Sequence, residues 1–243
     1  MAARLLLIED DPSIARFVEL ALEELPHHDA AVAAVELHVV PDLAAARAAL
    51  AGGGWQLVIS DLMLPDGSAE DLLAEGHARS PGAPPWLIFS AGLQAERRQA
   101  LLAAGVAQTL RKPVSLLELL DTVAGLLRPG VAPAPAPVVA TPAAADPVQQ
   151  HFGGDRLLFE SFRAGCLERF ADDIAQGQAA LAAADVAGLR RVAHGLKAVL
   201  ELIGQPALSA QARTLEDAAA AWAPGAPLPE GWPALAAGLA ALR

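Results

Sequence analysis

Apolar residues in the first half of the chain gather into short runs: Leu5 to Ile8, Val35 to Val40, Leu57 to Ser60, Trp86 to Ser90 and Val106 to Leu110. Compact apolar runs of this length read as buried strands. Between and after them the apolar positions recur at helical spacing, over about Ser13 to Leu25, Leu43 to Ala51, Ala69 to Ala78, Gln94 to Ala104 and Ser115 to Leu127. Five strands alternating with five helices predict parallel strands, right-handed crossovers and helices on both faces, an α/β doubly wound five-stranded parallel sheet. Ligands of such sheets sit beyond the carboxyl ends of the strands.

The pattern then changes. Pro129 to Pro147 holds 6 prolines in 19 residues and a single charge, which predicts an extended Pro/Ala-rich linker over 129–147. After it no alternating segment survives. Leu158, Phe159, Phe162, Cys166, Phe170 and Ile174 mark one face of a helix within Asp155 to Ala184, and Asp185 reads as the N-cap of a second helix towards Ile203. Gly204 and Pro206 end it and open a third, to about Trp222, and a fourth starts near Pro229. Four helices with short connections predict an all-α four-helix bundle over 148–243, with Trp222 and Trp232 as end caps and Cys166 in its core.

Composition narrows the function. The chain of 243 residues has a formal charge of −11 and a pI near 4.9, so its field repels nucleic acid and anionic membranes. The expectation is no nucleic acid and no membrane partner. One cysteine excludes an intrachain disulfide, no signal-peptide core precedes the acids after Ile8, and the longest uncharged run is broken by prolines. A cytoplasmic location follows as the expectation.

The residues after each strand carry the chemistry. They are Glu9, Asp10 and Asp11 after the first, Asp61 after the third, Ser90 at the end of the fourth, and Lys112 with Pro113 after the fifth. Carboxylates brought to one edge repel, and an oxygen-loving divalent cation, Mg²⁺ first among them, relieves that. A cation, a hydroxyl and an ammonium around one aspartate suit an acyl phosphate on that aspartate. A haloacid-dehalogenase type of aspartyl phosphatase would need a second Asp two positions after Asp61, where this chain has Met63.

The pieces LLLIEDDP, VISDLMLPDGS, LIFSA and LRKP, in that order, resemble the receiver domain of two-component response regulators over about residues 3 to 127, a flavodoxin-like fold. The resemblance implies that Asp61 is the phosphoacceptor, that Glu9, Asp10, Asp61 and the backbone carbonyl of Met63 hold Mg²⁺, that Ser90 contacts the phosphoryl group and Lys112 pairs with it, and that Pro113 follows a cis peptide bond. Thr109 stands where receivers often carry a switching aromatic. Met63 and Gly92 offer no polar side chain to orient an attacking water, which predicts a slowly hydrolysing acyl phosphate.

In LRRVAHGLKAVLELIG, Leu189 to Gly204, helical spacing puts Arg190, Arg191 and Lys197 around His194, with small Gly195 and Ala198 beside it. An accessible histidine among cations is suited to meet an anion and is held towards its neutral, nucleophilic form. The other five histidines, His27, His28, His38, His77 and His151, have no ligand partners at metal-binding spacing. His194, Leu196, Lys197 and Gly204, with FGGDRLLFESF and LEDA in support, resemble a histidine-containing phosphotransfer (HPt) domain. That resemblance implies phosphorylation of His194 assisted by Lys197. Fifteen of the 17 basic residues are arginine, so the two lysines, Lys112 and Lys197, single out the two sites.

The expectation is therefore a phosphorelay protein: a receiver over 1–128, a linker over 129–147 and an HPt-like bundle over 148–243. Asp61 and His194 would exchange phosphoryl groups, a sensor or hybrid histidine kinase would be the donor, and a separate receiver-domain protein a further partner. No ATP-binding kinase motif is present, so the receiver would catalyse only its own phosphorylation. Two alternatives stand beside it: a receiver that gates the bundle without internal transfer, and a bundle that only docks partners.

Overall fold

The computed structural model describes residues 2–32, 34–91, 93–128 and 146–243 of the chain, which divides into two compact units between Ala145 and Asp146. Most of the expected linker and Gly92 lie outside the described residues.

In the first unit the strands β1 (Ala3–Ile8), β2 (Val35–Val40), β3 (Leu57–Ser60), β6 (Trp86–Ser90) and β7 (Gln108–Arg111) form one parallel sheet in the order β2-β1-β3-β6-β7. The central strands are buried along their length, as a parallel sheet covered on both faces requires. The helices α1 (Pro12–His28), α2 (Leu43–Gly52), α3 (Ala69–Ala74), α4 (Ala95–Ala103) and α5 (Leu116–Leu127) alternate with them. Their starts are written locally: the Asp11, Asp42, Ser68 and Ser115 side chains each accept a backbone N–H of the helix they open, whereas α4 begins at Gln94 with no side-chain cap.

Three details differ from the sequence expectation. The fifth strand starts at Gln108, because the Val106 N–H closes back on the Leu101 carbonyl at the end of α4. The third helix ends at Ala74, where Gly76 at φ +90° accompanies the turn. A two-residue antiparallel pair, β4 (Met63–Leu64) with β5 (Gly67–Ser68), stands between β3 and α3 and carried no visible period.

The second unit is helical: α6 (Pro147–Phe152), α7 (Arg156–Ala182), α8 (Val186–Leu202), α9 (Pro206–Ala220) and α10 (Trp232–Leu242). The four long helices match the predicted bundle. Short α6 is additional: the last linker residues, Asp146 and Pro147, are its N-cap and first residue, since proline is pre-set for that position. Trp232 does not cap the bundle. It is 1% exposed and lies against Gly177 of α7, where an added Cβ would stand 1.9 Å from the indole. Trp222 is half-buried and donates its indole N–H to the Ala226 and Pro227 carbonyls in the following loop. Cys166 is buried as expected. Among the described residues no helix is long and apolar enough to cross a membrane.

Candidate functional sites

Strand order builds the first site. After β1 the chain moves outward to β2 and then returns to pair β3 on the other side of β1, so a crevice opens beyond the carboxyl ends of β1 and β3. Ile8 and Ser60 are in register, and the Asp61 N–H donates to the Ile8 carbonyl at 2.9 Å, which brings Glu9 and Asp61 level. Lys112 follows β7, whose Arg111 is in register with Ser90 of β6, and its N–H donates to the Ser90 carbonyl at 3.1 Å. The Lys112 chain passes the Phe89 ring, with Nζ 5.0 Å from the centroid, and donates to Glu9 Oε2 at 2.5 Å and Asp61 Oδ2 at 2.7 Å. All three side chains are almost wholly buried.

Two buried carboxylates share one ammonium, and this fixes the electrostatics. Lys112 is raised: burial works against its charge, but Asp61 and Glu9 outweigh it. Glu9 is pushed up to about 8, because burial and the neighbouring Asp61 charge outweigh the attraction of Lys112. Without a further cation Lys112 is shared between Asp61 and Glu9, and Glu9 is the acid driven towards its protonated form. Burial, and then Asp61, also raise half-exposed Asp10. The other Asp61 oxygen, Oδ1, accepts the N–H groups of Leu62 and Met63. Asp11 turns away to cap α1, accepting from Ser13 and Ile14 at 2.8 and 3.2 Å.

The structure thus brings Glu9, Asp61 and Lys112 into direct contact, with Ser90 buried at the end of β6 and Asp10 beside them. Thr109 is buried in β7, and the Lys112–Pro113 bond is cis. Among the described residues no three Asp, Glu, His or Cys side chains are gathered into a ready metal cluster; Glu9 and Asp61 converge on Lys112 instead. The donor set nevertheless fits a hard divalent ion, since it is made of oxygens carrying more negative charge than one lysine neutralises.

The second site lies between α8 and α9. Asp185 Oδ1 accepts the Gly188 N–H at 2.8 Å and starts α8, and Gly204 at φ +74° allows the turn that folds α9 back along it. Ser209 of α9 donates its hydroxyl to the Lys197 carbonyl at 2.8 Å, fixing the register. Seven residues further on, on the same face of α9, Glu216 meets His194: Nδ1 and Oε1 are 2.6 Å apart. Lys197 Nζ donates to Glu216 Oε2 and stands 3.3 Å from His194 Nδ1.

Burial opposes the charge on Glu216, but hydrogen bonds and Coulomb attraction from His194 and Lys197 outweigh it and take its pKa down to about 2. Glu216 is therefore a carboxylate without a proton to give. The hydrogen at the 2.6 Å contact belongs to Nδ1, so the neutral ring has its lone pair on Nε2.

Two sequence expectations about His194 change. Its nearest charged partner is an anion, and the ring of three cations is incomplete: Arg191 leans towards Asp185 at 3.8 Å. Its side chain is only 12% exposed, and Ala198 is buried in the interface rather than lying open beside it. Sequence reasoning missed Glu216 and Ser209 as members of the site. A signal for Glu216 exists: it falls on the inward stripe Ser209, Ala212, Leu215, Ala219, where a carboxylate has to find a partner.

Comparison with known proteins divides the chain in the same way. The family model described as the response regulator receiver domain matches residues 5–124, and that described as the Hpt domain matches residues 161–243. The response regulator protein PilR of Pseudomonas aeruginosa is 32% identical over 123 residues, 51% of this chain and 26% of that protein. The chain therefore spans about a quarter of the length of that curated relative. Among solved structures, the chemotaxis response regulator CheY4 of Vibrio cholerae is 23% identical, covering 52% of this chain and 100% of that one with a TM-score of 0.44. A two-component response regulator from Clostridium difficile is 18% identical, covering 52% and 97%, with a TM-score of 0.45.

Proposed function

From the premise that this chain joins a response regulator receiver domain to an Hpt domain, and so belongs to two-component phosphorelay signalling, we propose that Asp61 and His194 are its two phosphoryl carriers. The observation that carries the reading is the placement of the only two lysines: Lys112 Nζ lies 2.7 Å from Asp61 and Lys197 Nζ lies 3.3 Å from His194. In this reading the receiver occupies 1–128, the linker 129–147 and the bundle 148–243.

Asp61 attacks the phosphorus of a donor phosphohistidine on a histidine kinase. A carboxylate oxygen–phosphorus bond forms, the nitrogen–phosphorus bond breaks, and the imidazole leaves with its electron pair. Lys112 pairs with Asp61 beforehand and balances the transferring oxygens afterwards, with Ser90 offering a hydroxyl from the end of β6. Glu9, Asp10, Asp61 and the Met63 carbonyl would hold Mg²⁺, which supplies positive charge against the phosphoryl oxygens. At the bundle, Glu216 holds the ring hydrogen on Nδ1, which makes Nε2 the nucleophilic nitrogen of His194, and Lys197 offsets charge on the phosphoryl oxygens. Transfer between Asp61 and His194 of one chain belongs to the same proposal.

The test is radiolabelling with acetyl phosphate and Mg²⁺ on wild type, Asp61→Asn and His194→Gln. Alkali-labile label absent from Asp61→Asn is expected, together with acid-labile, alkali-stable label that requires His194 and, for internal transfer, Asp61. Alkali-labile label that survives Asp61→Asn refutes the receiver assignment. Label on His194 only from a separate phosphorylated receiver removes the internal step.

A further inference from the structure

A loop acid outside both sites has a defined job. Asp66 lies in the segment that carries Met63, and its sequence context gives only an exposed carboxylate in Leu-Pro-Asp-Gly. In the structure β4 and β5 pair Met63 with Ser68 and Leu64 with Gly67, leaving Pro65 and Asp66 as the tip of a tight hairpin. From that tip both carboxylate oxygens reach α2: Oδ1 accepts the Leu43 N–H at 2.8 Å and Oδ2 the Ala44 N–H at 3.0 Å. Asp42, the helix's own cap, takes the next N–H, from Ala45, at 2.7 Å. The first three amides of α2 are thus divided between its own cap and a residue 22 positions away.

The hairpin is held at two further points, and α2 at one. Gly67, at φ +151°, lies so close to Leu43 that an added Cβ would stand 2.8 Å from Leu43 Cδ1. Ala69 N–H donates to the Leu62 carbonyl at 3.0 Å across the hairpin base. The middle of α2 is tied to the end of α3 by Arg47, whose guanidinium donates to both oxygens of Glu75. Leu43 and Ala46 are buried in the same apolar cluster as Ile8, Leu62 and Leu64. α2 is therefore a fixed post, and Asp66 fastens the Met63 segment to it.

We propose that Asp66 is a positioning residue, which sets the Met63 carbonyl and the Leu62 and Met63 amides around Asp61 by pinning the hairpin tip to α2. The proposal rests on the metal-site reading above. Nothing within the 62–68 segment other than Asp66 fixes its tip to a helix through hydrogen bonds among those described. Loss of the tie leaves the metal-facing backbone free to drift while the acids and Lys112 stay in place.

The experiment is Mg²⁺ titration of the full chain by calorimetry, with thermal unfolding run in parallel. Asp66→Ala is expected to weaken Mg²⁺ about tenfold, at the low end of the range for outer-sphere partners of metal sites. Asp66→Asn, which retains one acceptor oxygen, is expected to fall between wild type and Asp66→Ala. The control is Asp42→Ala, which removes a cap from the same helix end without touching the hairpin, and which should lower unfolding temperature similarly while leaving Mg²⁺ affinity unchanged. Equal weakening by Asp66→Ala and Asp42→Ala, or no weakening by Asp66→Ala, overturns the positioning role. Failure of the underlying reading looks different: the wild type would bind Mg²⁺ no more tightly than the Glu9→Gln, Asp10→Asn double variant.

Discussion

Replacing Glu216 by Gln isolates the electrostatics of the bundle site. The substitution keeps the shape of the side chain and removes its charge, leaving Lys197 without an anion and offering His194 an amide in place of a carboxylate. A pKa of about 2 against the ordinary 4.5 corresponds to about 3 kcal/mol of folding stability, and Glu216 is only 8% exposed, so little of this is screened. The sign follows from a depressed acid: the contribution is complete above pH 4.5 and disappears as pH falls through about 2. Glu216→Gln is therefore expected to lower bundle stability by about 2 to 3 kcal/mol at pH 7, and the gap to wild type should shrink steadily between pH 4.5 and 2. Hydrogen exchange resolved to the α8 amides of Val199 and Leu200, which are buried, reads bundle opening separately from the receiver. A loss under about 0.5 kcal/mol at pH 7, or a gap that does not narrow in acid, refutes the reasoning.

Other outcomes follow from the same geometry. Because Glu9 is raised to about 8, the folded receiver holds a proton that the unfolded chain releases, so without metal its stability should fall as pH rises from about 5 to 8; thermal unfolding with and without Mg²⁺ checks this, and the added ion should flatten the slope. Gly177→Ala places a methyl inside the Trp232 ring and is expected to cost about 3 kcal/mol, lowering the bundle's melting temperature by roughly 12 to 24 °C in calorimetry. Ser209→Ala removes the hydrogen bond to the Lys197 carbonyl and should cost about 1 kcal/mol, while slowing phosphorylation of His194 by a phosphorylated receiver through lost register.

Much of the architecture is local and was legible. The apolar runs of β1, β2, β3 and β6 and the periods of α1, α2, α5, α7, α8 and α9 announce themselves because burial on a sheet or along one helix face imposes a spacing. The Asp185 cap is single-residue chemistry and was readable at its own position, whereas Asp11, grouped by sequence with the strand-end acids, caps α1 instead. Glu9, Asp61, Ser90 and Lys112 could be grouped from the order of the apolar runs alone, because strand ends in a parallel sheet have to meet at one edge.

What the sequence could not specify is contact between distant side chains. That Lys112 divides itself between Glu9 and Asp61, and so leaves one acid protonated, depends on distances set by the β1-β3-β6-β7 order. That Glu216 rather than a cation governs His194 depends on the α8–α9 register, which Ser209 and Gly204 determine together. Trp232 looked like a cap because nothing near it in the chain says that Gly177 leaves it a hole. The sequence by itself determined the elements, their order and the residue types needed for phosphoryl chemistry, since these are local properties of spacing and composition. Tertiary structure alone decided which charges touch and which nitrogen of His194 keeps its lone pair, because Coulomb and hydrogen-bond energies depend on angstrom distances that only packing fixes.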